Sequence, residues 1–470
     1  MRPALIRQAF LLLTVVILAA PAATPMAGWV RWSFPALSAL VAGWLVLRDR
    51  PGPYLTLCLW LFVLTPLVRR IVDVHAGYSH ANVLMLAPYL GGAWAALAAP
   101  QFFLARGRPG QGPMALLFAT ILYGFVLALA AGRVFPGTLD LLRWSMPPLL
   151  ACYIIAKTKA WEAICMEIRA WAIFALPLIS LYGLYQFVAP PAWDVNWMLN
   201  SEMSSIGQPR PFEIRVFSTM NSPASFAYYL EALILLTLSL ALRLRWLSVP
   251  TGIAALAVSM VRSAWLGLAI GLLLLLARAP LKVRASVLML AVASVALTPL
   301  ALTNARVEKA VSDRIETLSN VEHDKSFSER ASSYRDSVRE LDEHPWGQGI
   351  GIANVASNYT ESSRVVDGGP IEILLSLGLL FGPLYLGAVA LLLLAAIRCR
   401  PARAAGDVFG AAVTIATVQA MALSSVTTVV GEIGVLFWLA VGVVLASPRE
   451  RPRYMGGIAQ LTAECPKSST

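Results

Sequence analysis

Charge is scarce in this chain. Only 13% of its 470 residues are Asp, Glu, Lys or Arg, where a soluble domain carries about 25%. A water-soluble particle of this size cannot be built with so few ionic groups. Cysteine and histidine are also sparse. The five cysteines, Cys58, Cys152, Cys165, Cys399 and Cys465, have no metal-ligand spacing and fall mostly in apolar or basic segments, which excludes a disulfide framework or a zinc ribbon. Of the four histidines, His75 and His80 lack partners at ligand spacing, so no metal centre is expected. The net charge of +11 is not gathered into a basic patch interleaved with aromatics, which argues against a nucleic-acid partner and for attraction to anionic lipid. Nor is there an internal repeat of the kind from which many transporters are assembled.

What the chain has instead is oil. Hydrophobic residues make up 58% of it, and the mean hydropathy is +0.69. Apolar stretches able to cross about 30 Å of hydrocarbon recur near 9–23, 33–47, 54–68, 83–104, 114–131, 144–156, 170–189, 223–242, 246–261, 264–277, 285–303, 369–397, 408–430 and 433–446. They are continuous rather than alternating, which selects helices over an outer-membrane barrel. The expected fold is an all-α, polytopic transmembrane bundle of about 14 helices. The first run, with Arg2 and Arg7 ahead of it and small residues Ala19–Ala23 behind, has the features of a signal peptide, but reads better as an uncleaved first helix.

Basic residues give the orientation, because short cytoplasmic loops collect Lys and Arg. With the N-terminus inside, every inner segment holds at least two, from Arg48 and Arg50 through Lys157, Lys159 and Arg169 to Arg398, Arg400 and Arg403. Both ends are then cytoplasmic. The resulting organisation is residues 1–303 as helices one to eleven, 304–368 as a large outer loop, and 369–470 as three more helices and a short cytoplasmic tail. Within the loop a helix is expected from about Ser328 to Glu343, stopped by Pro345 and the glycine-rich turn Trp346-Gly-Gln-Gly-Ile-Gly351. A second outer loop, about 190–222, carries Trp193, Trp197, Arg210 and Arg215.

Positive charge on the outer side runs against the orientation rule and asks for a reason. Arg69 and Arg70 precede Asp73, Arg133 and Arg143 flank Asp140, Arg210 and Arg215 stand before a helix, and Arg262 occupies a tight turn. Each singly is explained by snorkelling or an ion pair. As a set on one face they suit an anionic headgroup, since guanidinium pairs bidentately with phosphate oxygens. Glu372, one turn into an apolar helix, is costly there unless paired. The glycine pairs Gly267/Gly271 and Gly378/Gly382 read as helix packing.

Four blocks in order carry a resemblance: Arg215-Val-Phe-Ser-Thr-Met-Asn-Ser-Pro223; Arg262-Ser-Ala-Trp-Leu-Gly-Leu-Ala-Ile-Gly271; Glu329-Arg330 followed by Glu343-His-Pro-Trp-Gly-Gln-Gly-Ile-Gly351; and Val366-Asp-Gly-Gly-Pro-Ile-Glu372. Over about residues 210–385 the chain resembles the O-antigen ligase and polymerase family. The first 200 residues resemble it in architecture alone. The resemblance implies a glycosyltransferase of the bacterial inner membrane, acting on its outer face on a glycan carried by undecaprenyl pyrophosphate. An acceptor hydroxyl would displace the pyrophosphate with inversion. Arg215 and Arg262, at the family's motif positions, would grip it, and no metal or other cofactor is implied because arginines supply the countercharge. Arg330 would brace the loop or meet the glycan.

In the ligase branch of that family a histidine opens the helix after the large loop. Here the stretch reads Val365-Val366-Asp367-Gly368-Gly369, and no histidine follows His344. The departure favours the polymerase branch, with Asp367 as base or acceptor-orienting group; Asp367 is equally well placed as a helix N-cap. His344 reads as structural. The alternatives are a ligase that moves preformed glycan to a lipid or protein acceptor, and a flippase for a lipid-linked glycan, which would show repeated halves and short loops. The partners implied are the lipid-linked glycan as donor and acceptor and the membrane lipids, with room for a chain-length regulator.

Overall fold

A computed structural model of the chain describes residues 1–80, 82–201, 203, 206–240, 245–278, 284–285, 335–352, 368–399 and 406–448. Its described elements are helices: α1 (Arg2–Ala19), α2 (Ala27–Leu47), α3 (Pro51–Ala76), α4 (Ala87–Ala93), α5 (Ala99–Phe103), α6 (Gln111–Ala130), α7 (Val134–Ala156), α8 (Trp161–Val188), α9 (Ala192–Asn200), α10 (Pro223–Ser239), α11 (Arg245–Ser259), α12 (Arg262–Arg278), α13 (Gly369–Arg398), α14 (Gly406–Ala422) and α15 (Gly431–Leu445). Eight helical stretches are long and apolar enough to cross a bilayer, and five shorter apolar helices accompany them. The bundle is therefore all-α and polytopic. Each expected span coincides with one of these stretches except 285–303, which beyond residue 285 lies outside the described residues.

Helices α3, α10 and α15 form the centre. Nearly every residue of α10 and α15 is buried, whereas α1, α2, α6 and α13 keep most of their apolar surface on the outside. Apolar side chains facing outward are what a lipid-bathed periphery requires, since hydrocarbon imposes no cost on them. α15 lies against α7 and α14, α10 against α11, α12 and α14, and α6 against α7 and α13. On α12, Gly267 and Gly271 bring the backbone close to Glu231 and Leu235 of α10, the packing role expected of that pair.

A buried polar knot fastens the first helix to the rest. Gln8 donates to the Glu167 carboxylate at 2.7 Å and to the Thr56 hydroxyl at 2.8 Å, and its own oxygen accepts from the Trp60 indole at 3.1 Å. Arg7 pairs with the same Glu167. In a medium without water such groups must satisfy one another, so α1, α3 and α8 are held in one register.

The glycine-rich turn is inserted into the bundle rather than lying over it. Gln348 N donates to Leu375 O at 2.9 Å, Gly349 N to Ser376 O at 2.8 Å, Ile350 N to Gly124 O at 3.0 Å, and Gly351 N to the Asp140 carboxylate at 2.8 Å. Gly347, Gly349 and Gly351 all have positive φ, and a Cβ on any of them would strike helix backbone within 3 Å, at Gly378, Ala128 and Gly137 respectively. Alternate glycines thus let one strand of backbone touch α13, α6 and α7 in succession. α13 answers with a kink at Gly378, whose φ is 76°. Ahead of the turn, the described part of the expected loop helix, 335–343, is helical and ends before Pro345.

Candidate functional site

The loop-bearing ends of α3, α7, α10, α12, α13 and α15 gather at the face that the charge pattern assigns outward. Residues 206–222 are positioned there by a buried ion pair. Arg70, fully buried at the end of α3, pairs with the equally buried Asp194 of α9 at 2.8 Å. Its guanidinium also donates to Ser218 O and lies 4.8 Å from the Phe217 ring. Asp194 accepts from Gln186 at 2.6 Å and Tyr182 at 3.0 Å, while Gln186 in turn accepts from the backbone N–H groups of Phe217 and Ser218. Burial raises the Asp194 carboxyl above its ordinary value, and Arg70, Gln186 and Tyr182 pull it part of the way back. Trp193 donates to Tyr182, and Trp197 packs on Phe217.

This framework delivers Arg215. Its backbone N–H donates to Ile206 O at 2.9 Å, and its half-buried guanidinium donates to Met260 O at 3.3 Å. Met260 sits in the turn that opens α12, two residues before Arg262, which is likewise half-buried at the first helical position. Of the two arginines that the motifs single out, 47 positions apart in sequence, Arg215 thus bonds to the turn from which Arg262 opens α12.

The remaining outward arginines are used differently. Arg69 pairs with Asp73 at 3.3 Å and donates to Ser79 O at 2.8 Å; Asp73 also takes Arg31 and Asn82. Arg133 reaches the carbonyl of Gln348 in the inserted turn, and burial lowers its guanidinium from the ordinary value. Arg143 pairs with Asp140 at 2.7 Å. Arg210 is exposed in the 206–214 turn. Glu372 is buried in the first turn of α13 and accepts from the Thr427 hydroxyl. Asp367 and Arg330 lie outside the described residues.

A second constellation stands on the other flank of α10, and the sequence reading passed over it. Glu432, in the first turn of α15, accepts from Ser225 at 3.2 Å and from Tyr89 at 3.4 Å, and its backbone carbonyl accepts from Tyr229 at 2.9 Å. Arg143 is within electrostatic reach of Glu432, Glu372 and Tyr89. A carboxylate beginning an apolar helix on the outward side was the available signal.

The polytopic helical bundle thus holds, at one face, Arg215 bonded to the turn that opens α12 at Arg262 and a polar cluster around Glu432. Residues 246–380 match the model of a family described as O-antigen ligase, which supports assigning the chain to the O-antigen ligase and polymerase family. The matched stretch begins in α11, includes Arg262 and the inserted turn, and ends just beyond the kink of α13. No curated protein matched the chain.

Proposed function

We propose that the protein is an inner-membrane polysaccharide polymerase, joining undecaprenyl-pyrophosphate-linked repeat units on the outer face with inversion at the anomeric carbon. The observation that carries this reading is the hydrogen bond from Arg215 to Met260 O, which brings Arg215 to the turn that starts α12 at Arg262. Two guanidinium groups at one turn suit a pyrophosphate, on which negative charge grows as the glycosidic bond to it breaks. Electrostatic donors fixed before the reaction lower the barrier because they need no rearrangement.

In this reading Arg133, beside the inserted turn, and Arg210, exposed in the 206–214 turn, meet the donor or the growing glycan. Arg69, Arg70 and Arg143, with Glu372, hold the walls of the substrate pocket. Asp367, the residue before the α13 cap in sequence, orients the acceptor or takes its proton, and Arg330 braces the loop or meets the glycan. Countercharge comes from arginine, so transfer proceeds with chelator present. Polymerase is favoured over ligase because the segment opening α13 carries Asp367 rather than histidine.

The test is elongation in vitro. Purified protein in lipid is given lipid-linked repeat units with chelator, and products are sized on a gel. A ladder establishes the polymerase; transfer of preformed glycan to a different acceptor, with no ladder, makes the protein a ligase.

A further inference from the structure

Inverting transfer requires a base near the acceptor hydroxyl, and the carboxylates of the outer face differ sharply in how far they are committed to the fold. Asp140 spends one oxygen on Arg143 and the other on Gly351 N. Asp73 is clasped by Arg31, Arg69 and Asn82, and Asp194 by Arg70, Gln186 and Tyr182. Glu372 is 3% exposed. Glu432 is different: it is half-buried, its carboxylate hydrogen bonds come from two hydroxyls at 3.2 and 3.4 Å, and Arg143, in electrostatic reach of it, spends its 2.7 Å ion pair on Asp140. Hydroxyl contacts of that length are what an incoming sugar hydroxyl can replace, whereas a buried ion pair cannot be opened without a cost of several kcal/mol.

Glu432 is also linked to the arginine pair through α10. Tyr229 donates to Glu432 O, and the preceding residue, Tyr228, donates at 2.9 Å to the hydroxyl of Ser263, the neighbour of Arg262. Ser222, the N-cap of α10, donates to Ser225 at 2.9 Å, and Ser225 passes a hydrogen bond on to Glu432. This line of hydroxyls runs from the Arg215–Ser222 segment to the carboxylate. Gly431, with φ +66°, allows the approach on the remaining side: a Cβ there would lie 3.4 Å from Nη2 of Arg143 and 3.5 Å from the Tyr89 hydroxyl.

We infer that Glu432 is the general base of the transfer reaction, an assignment that rests on the glycosyltransferase reading above. The acceptor oxygen bonds to the anomeric carbon as the bond from that carbon to the pyrophosphate oxygen breaks. The bonding pair leaves with the pyrophosphate held by Arg215 and Arg262, and the acceptor proton passes to Glu432, which later loses it to water. Asp367 is then left the orienting role.

The experiment compares wild type, E432Q, E432A and D367N in the lipid-linked elongation assay, with donor binding measured separately by competition with undecaprenyl pyrophosphate. The expected result is a fall in kcat of about 100-fold or more for E432Q, donor affinity within about threefold of wild type, and about tenfold recovery of E432A by added formate, which supplies the missing carboxylate. E432Q keeps the shape of the side chain and decides the matter if E432A does not fold. Near-normal turnover in E432Q, or collapse of donor binding together with turnover, overturns the assignment, as does an effect confined to D367N. Should wild type transfer glycan to another acceptor without elongating it, the polymerase reading falls while the same four proteins still test the base.

Discussion

Gly347 and Gly378 meet backbone to backbone: a Cβ on Gly347 would lie 2.5 Å from the Gly378 nitrogen, and both residues have positive φ. Neither can accept a side chain without moving the other, and the kink in α13 and the inserted turn are two halves of one contact.

Gly347→Ala should accordingly destabilise the protein by at least ~2 kcal/mol, from positive φ and overpacking together. Gly387→Ala, in the same helix with open space around the added methyl, serves as the neutral control. Thermal unfolding in detergent measures both. Equal melting temperatures for the two variants would show that the turn is not packed as described.

Removing one partner of the Arg70–Asp194 pair leaves a charge buried without its counterion, at a cost of about 3–5 kcal/mol. R70A and D194A should each lose that much, and their effects should not add, since the first removal already forfeits the pair. Limited proteolysis in 206–222 is expected to accelerate in both variants. Resistance equal to wild type would mean the loop is fixed by other contacts.

Gln8→Ala strips the Glu167 carboxylate and the Trp60 indole of a partner, and about 1–3 kcal/mol should go with it. Gln8→Glu should be worse, because it sets a second carboxylate beside Glu167. The order of stability, wild type above Ala above Glu, is read from unfolding in graded denaturing detergent.

Arg215→Ala and Arg262→Ala should each cut turnover by about 100- to 1000-fold while the fold is kept. Lysine at either place should recover little, since it offers a point charge where a planar fork is needed. Retention of near-normal rate in both Lys variants would point to simple charge attraction instead.

The helices were legible because lipid leaves the chain no choice: a spanning segment must be largely apolar and helical, so spans can be located, as 33–47 within Ala27–Leu47, but not their ends, since 144–156 misses the ten-residue start of Val134–Ala156, where Asp140 and Arg143 interrupt the apolar run. Arginine pairing was not legible. Nothing local in Arg69-Arg70 distinguishes the residue that meets Asp73 four places away from the one that crosses to Asp194. The glycines of 347–351 announced a turn, but their reason, bare backbone laid against three helices, depends on partners far off in sequence. Glu432 went unnoticed because a first-turn carboxylate is already accounted for by the helix dipole, and only its neighbours on α4, α7 and α10 give it a second meaning.

The inserted turn has a bearing on how the protein is made. Asp140 receives its hydrogen bond from Gly351, 211 residues later, and the α6 carbonyl of Gly124 likewise waits for Ile350. A ribosome delivering this chain to the membrane must release α6 and α7 long before the segment that seals them has been synthesised. Their loop-bearing ends remain incomplete until residues 347–351 have been made, and only then can the outer ends of α6 and α7 be closed.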